Sequence, residues 1–129
     1  MREILFRGKR IDNSKWVEGY LIHDEFCNVG IPYIGYLNWK GHSVDEVIPE
    51  TVGQYIGITD KTGKKIFEGD IVKEYNIFGV EVGIGAVHWS DLFLAWHITK
   101  NKSMYSGNIA SYEVIGNIHD NPELLKGGK

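Results

Sequence analysis

A chain of 129 residues that is 43% hydrophobic and 24% charged can bury one real core and is too apolar for an intrinsically disordered segment. Its formal net charge of −3 gives no basic surplus for gripping phosphates, which disfavours nucleic acid as a partner. Cys27 is the single cysteine, so no internal disulfide can form, no thiolate cluster is available for a metal, and a reducing, cytoplasmic compartment is expected.

The chain opens MREILFRGKR, charge with no apolar run behind it, and no stretch reaches the ~18 apolar residues of a membrane-spanning helix. Neither a signal peptide nor a membrane partner is expected. The first strand signals lie at 3–7 and 16–23, separated by Asp12-Asn13-Ser14, whose side chains bond the local backbone in turns. Within WVEGYLIH, Trp16, Glu18, Tyr20 and Ile22 alternate with Val17, Gly19, Leu21 and His23, so a hairpin is expected. Arg7, Lys9, Arg10 and Lys15 make this end locally basic. Charges guarding an exposed edge strand explain them, and a phosphate contact is the alternative.

Residues 26–44 have no clear period. Short strands around 31–37 and an excursion loop fit equally well. Aromatic rings capping the core are the ordinary reading of this segment. Binding groups concentrate on loops, however, so Tyr33, Tyr36 and Trp39 are the candidate residues for a protein partner. A short edge strand at 44–48 stops at Pro49, which has no N–H for a ladder.

Residues 51–75, TVGQYIGITDKTGKKIFEGDIVKEY, read strand, turn, strand, turn, strand. Period-two alternation runs from 51 to 58, Asp60-Lys61-Thr62-Gly63 and Glu68-Gly69-Asp70 are turns, and strands follow at 64–67 and 71–75. All local signals agree in this block, as in a folding nucleus. Further strands are expected at 80–89, 92–99 and 112–118, with a polar loop tip at 100–107. Asp120 or Asn121, followed by Pro122, can start a last short helix through Leu124 and Leu125. Many short strands and almost no helix make an all-β fold, a curled antiparallel sheet or barrel with a short C-terminal helix. With no repeat and no linker, residues 1–129 are taken as one domain, closing with the strand and helix of 111–126.

No catalytic constellation stands out. The five histidines form no metal-ligand spacing. His88 and His97, each beside a tryptophan, are expected to face each other across a hairpin; aromatic packing explains them better than a zinc site completed by Asp91. Asp60, Glu68 and Asp70 stand at turns, where local N–H groups account for them. GVEVGIG is neither GxGxxG nor a Walker loop and no helix follows it, so no nucleotide site and no cofactor are expected.

Three stretches carry a resemblance: FRGKRIDNSKWVEGYLI at the start, TVGQYIGITDKTGKKIFEGDIVK in the middle and YEVIGNIHDNPELL at the end. Together they resemble the YopX family, small proteins encoded by phages and prophages, whose central pattern runs roughly QYTGL-DKNGKEIYEGDIV. Ile56 stands where threonine is usual and Thr62 where asparagine is usual. The resemblance implies an all-β, barrel-containing fold with a GDIV turn-strand like that of SH3-like barrels. It implies no established activity and no catalytic residues. The expected function is therefore a non-enzymatic binding or adaptor module that associates with a phage or host protein or with itself as a homo-oligomer. A nucleic-acid accessory role, motivated by Arg2, Arg7, Lys9, Arg10 and Lys15, is the alternative, and an enzyme a distant third.

Overall fold

The structure, a computed structural model, describes residues 3–22, 31–92, 94–100 and 109–126. Arg2, His23, Cys27 and most of the 100–107 tip lie outside these residues. Backbone contacts divide the chain into two compact units, Met1–Tyr55 and Ile56–Lys129. Among the described residues no helix is long and apolar enough to cross a membrane.

The first unit is built from β1 (Phe6–Lys9), β2 (Trp16–Ile22), β3 (Tyr33–Asn38), β4 (Gly41–Glu46), a single 3-10 turn at Pro49–Thr51 and the start of β5 (Gly53–Thr59). Its strands are antiparallel in the order β4-β3-β2-β1, and the start of β5 pairs with the free side of β1. The turn between β1 and β2 is held as its residues suggest. Asn13 Oδ1 accepts the Lys15 N–H at 3.0 Å, and Ser14 takes a left-handed φ of 59°. The 26–44 stretch turns out regular wherever it is described. β3 and β4 pair from Tyr33–Glu46 to Asn38–Gly41 around the two-residue turn Trp39-Lys40, and Gly41 supplies the φ of +105° that this turn requires. The edge strand expected at 44–48 starts earlier, and Pro49 opens the 3-10 turn instead of merely stopping a strand.

One face of this sheet is packed. Ile34 and Val47 have no exposed surface. A Cβ on Gly19 would collide with the Gly35 carbonyl oxygen, so only glycine lets β2 and β3 approach there. Past the strands, a single bridge pairs Arg10 with Val47, flanked by Ile11 N–H to Glu46 O at 3.1 Å and Ile48 N–H to Lys9 O at 2.8 Å. The barrel expectation is thus met only by this one bridge: the sheets are antiparallel and all-β, but neither closes into a barrel.

In the second unit the end of β5 runs beside β6 (Lys65–Phe67), followed by β7 (Asp70–Tyr75), β8 (Glu81–Ser90), β9 (Ala95–Lys100), β10 (Ser111–Asn117) and the helix α1 (Glu123–Lys126). The strands β10-β7-β8-β9 make a four-stranded antiparallel sheet. Ile66 from β6, with Val72 and Val87 from this sheet, forms the buried centre of the unit, and Ile56, Trp96, Ile98, Tyr112 and Val114 pack around them. The hinge of this packing is Asp60, itself 6% exposed. Its Oδ1 accepts Thr62 N at 2.8 Å, Thr62 Oγ1 at 2.7 Å and Lys64 N at 2.9 Å, and its Oδ2 accepts Val114 N from β10 at 3.0 Å. Asp70 likewise accepts the Phe67 N–H at 2.7 Å. Both carboxylates do the turn work expected of them, and Asp60 also ties the turn to a distant strand.

Candidate interaction surface

The opposite face of the first sheet is where the chemistry of the first unit gathers. Side chains alternate along a strand, so the face not occupied by Ile34 and Val47 takes Arg7 and Lys9 from β1 and Trp16, Glu18, Tyr20 and Ile22 from β2. From β3 it takes Tyr33 and Leu37, and from β4 His42, Val44 and Glu46. Gly35 sits at the middle of this face, directly across from Tyr20 on one side and Val44 on the other. With no side chain at Gly35, the Tyr20 ring lies over the backbone there; its Cε2 comes 2.8 Å from where a Cβ would be. The Tyr20 hydroxyl reaches His42 Nδ1 at 3.0 Å. The result is an exposed apolar row: Tyr20 keeps 47% of its surface, Val44 57% and Leu37 70%. Single exposed apolar residues are ordinary, but a contiguous group with a polar rim marks a contact surface.

The ends of the row are charged. At the β1 end the Arg7 guanidinium lies 4.6 Å above the centre of the Trp16 ring, and Lys9 Nζ lies 5.6 Å from it. At the β4 end Glu46 and Tyr33 help to line an open crevice of about 410 Å³ beside the 10–12 turn. Arg10 closes that crevice from the far side, held by a two-pronged contact with Asp12 at 3.0 and 3.1 Å and by Asp45 at 3.7 Å.

The expected site residues therefore separate. Tyr33 belongs to the exposed face. Tyr36 points to the other side, where its hydroxyl donates to Asp45 Oδ2 at 2.7 Å, and that bond holds its pKa above the usual tyrosine value. Trp39 is 88% exposed at the hairpin tip, with Lys40 Nζ 5.0 Å over its ring. The four basic residues do not form one patch. β1 is paired on both sides, so Arg7 and Lys9 do not guard an edge, and Arg7 is 8% exposed. Arg10 is engaged by acids, and Lys15 stands exposed in the turn. Tyr20, Leu37 and Val44, exposed on this face, are not among the expected residues. Their signal was present in the alternation of WVEGYLI and in the paired runs YIGYLN and GHSVDE about a two-residue turn.

In the second unit His88 and His97 do face each other, with ring centres 5.4 Å apart at 74°, beside an edge-on pair of Trp89 and Trp96 at 5.3 Å. Among the described residues no group of three or more His, Cys, Asp or Glu is placed to hold a metal.

A family model for the YopX protein matches residues 5–126. The chain belongs to the YopX family. Among solved structures, the crystal structure of protein EF1440 from Enterococcus faecalis is similar over 97% of this chain and 99% of that one, at 19% identity and a TM-score of 0.55. At that identity the likeness concerns the fold alone. No curated protein matches the chain. The YopX matching range takes in both units, the exposed face of β1–β4 and the Asp60 turn.

Proposed function

We propose that this YopX protein is a non-enzymatic binding module of a phage or prophage, working in the bacterial cytoplasm, and that the outer face of β1–β4 is its docking surface. The observation that carries this reading is the row Tyr20, Val44 and Leu37, all solvent-exposed on one face, with the Tyr20 ring laid over Gly35. An aromatic and aliphatic centre with a polar rim is the composition of protein–protein contacts. A second copy of this chain is the partner proposed, meeting this face about a twofold axis.

Solution mass by light scattering across a concentration series tests it. The wild type should form a dimer, and Leu37→Lys with Val44→Lys should be monomeric with an unchanged melting temperature. A wild type that stays monomeric throughout, or a double variant that dimerises as before, overturns the reading. Lys9 beside the Trp16 ring favours a second reading, single-stranded nucleic acid held by stacking and phosphate contacts, against which stand the burial of Arg7 and the acids Glu18 and Glu46 on the same face. Salt-sensitive binding of an oligonucleotide would support it, and no mobility shift at low salt would remove it.

A further inference from the structure

The second unit holds an apolar pocket of about 170 Å³ that plays no part in the outer face of the first. Its floor is the buried centre Ile66, Val72 and Val87; Trp96, His97 and Ile98 from β9 and Tyr112 from β10 form the walls. Trp96 is braced edge-on by Trp89 at 5.3 Å, so that wall is fixed before any ligand arrives. Ile58, 46% exposed, stands at the mouth. Protein interiors leave few voids larger than a water molecule. An apolar cavity of roughly 150 Å³ has room for one benzene-sized ring.

We propose that this pocket binds one neutral, single-ring aromatic molecule of phenol size. Size sets the single ring, and the aliphatic floor with an edge-fixed indole sets its apolar, aromatic character. Neutrality follows from the wall at Tyr112. Directly across from it on β7 stands Glu74, 3% exposed. Burial, and then the charge of Glu74, raise the Tyr112 pKa and keep its hydroxyl protonated. A ring carrying its own negative charge would have to be desolvated with Glu74 buried across from the Tyr112 wall, whereas a neutral ring meets the aliphatic and indole surface, Tyr112 and His97.

The test uses the full chain with labelled isoleucine and valine methyl groups, followed by NMR while p-cresol or benzoate is added. p-Cresol should give saturable shifts at the methyls of Ile66, Val72 and Ile98, and benzoate should bind at least about tenfold more weakly. Ile98→Phe, which places a ring inside the pocket, should abolish the shifts, while Leu37→Lys in the first unit should leave them unchanged. Where Ile98→Phe does not fold, Ile58→Trp across the mouth replaces it. The proposal is overturned by an absence of saturable shifts in the wild type, by equal binding of benzoate, or by a filled pocket that still binds p-cresol.

Discussion

Replacing Asp60 tests how the turn after β5 is joined to β10. Burial on its own would raise the pKa of this carboxyl. The bonds from Val114 N, Thr62 Oγ1, Lys64 N and Thr62 N outweigh burial and lower it from 3.8 to about 2. Since the folded value lies below the unfolded one, the stabilisation is complete above pH ~5 and is lost as pH falls through 3.8 toward about 2. At ~1.4 kcal/mol per pH unit the shift corresponds to roughly 2 kcal/mol. The neighbouring Thr62, Gly63 and Lys64 are exposed, and water around them brings the figure nearer ~1–2 kcal/mol. Asp60→Asn keeps the shape but turns an N–H₂ toward a donor, either Val114 N or the Thr62–Lys64 cluster, and removes the charge. It should cost ~1–2 kcal/mol at pH 7. Asp60→Ala, which leaves the Val114 amide without its acceptor, should cost about 3 kcal/mol. Urea denaturation at pH 7 and pH 3 measures both. The gap between wild type and Asp60→Asn should narrow at pH 3, because there the Asp60 carboxyl of the unfolded chain takes up its proton while the folded one stays largely ionised. A gap of less than ~0.5 kcal/mol at pH 7, or one unchanged at pH 3, refutes the reasoning.

Three further outcomes are expected. Gly19→Ala drives a methyl group into the Gly35 carbonyl, a backbone atom with nowhere to go, and should cost about 3 kcal/mol or more in denaturant titration or prevent folding. Tyr75 donates to Glu113 Oε1 at 2.7 Å, and this bond, then burial, pushes its pKa up to about 12. Glu113→Gln should therefore bring the highest tyrosinate step in an absorbance titration back toward 10, and Tyr75→Phe should remove that step. The double charge substitution at Leu37 and Val44 should change mass in solution without changing the melting temperature, because both side chains face water and the packed face is elsewhere.

Most of the strand pattern was legible because it is written in local chemistry. Asp12-Asn13-Ser14, Asp60 to Gly63 and Glu68-Gly69-Asp70 each bond their own backbone, and the alternation between them fixes which residues lie on one face. The facing of His88 and His97 followed from the symmetry of the two histidine–tryptophan pairs about a short turn. What local chemistry does not carry is long-range partnership. Asp60 reads as a complete turn residue within its own block, and nothing near it announces an acceptor for Val114, which lies 54 residues away. The same limit hid the pairing of β1, whose basic residues look like an edge guard until β5 is found against its free side.

The candidate surface was half legible for a different physical reason. Alternation says that Trp16, Tyr20 and Ile22 share a face, but not whether that face meets the core or water. The deciding residues are glycines. At Gly19 the absent side chain lets two strands close up on the packed side. At Gly35, on the other side, it leaves a bare floor over which Tyr20 lies toward Val44. Two glycines in neighbouring strands, one residue out of register, thus do opposite jobs, one making the sheet dense and the other leaving its outer face open to the Tyr20 ring. A side chain larger than hydrogen at Gly35 would lift the Tyr20 ring and break the row into separate exposed residues. The open outer face consequently depends on a residue with no side chain of its own to contribute, which is why the conspicuous rings of 26–44 point to Tyr33, Tyr36 and Trp39 and not to Tyr20, Leu37 and Val44.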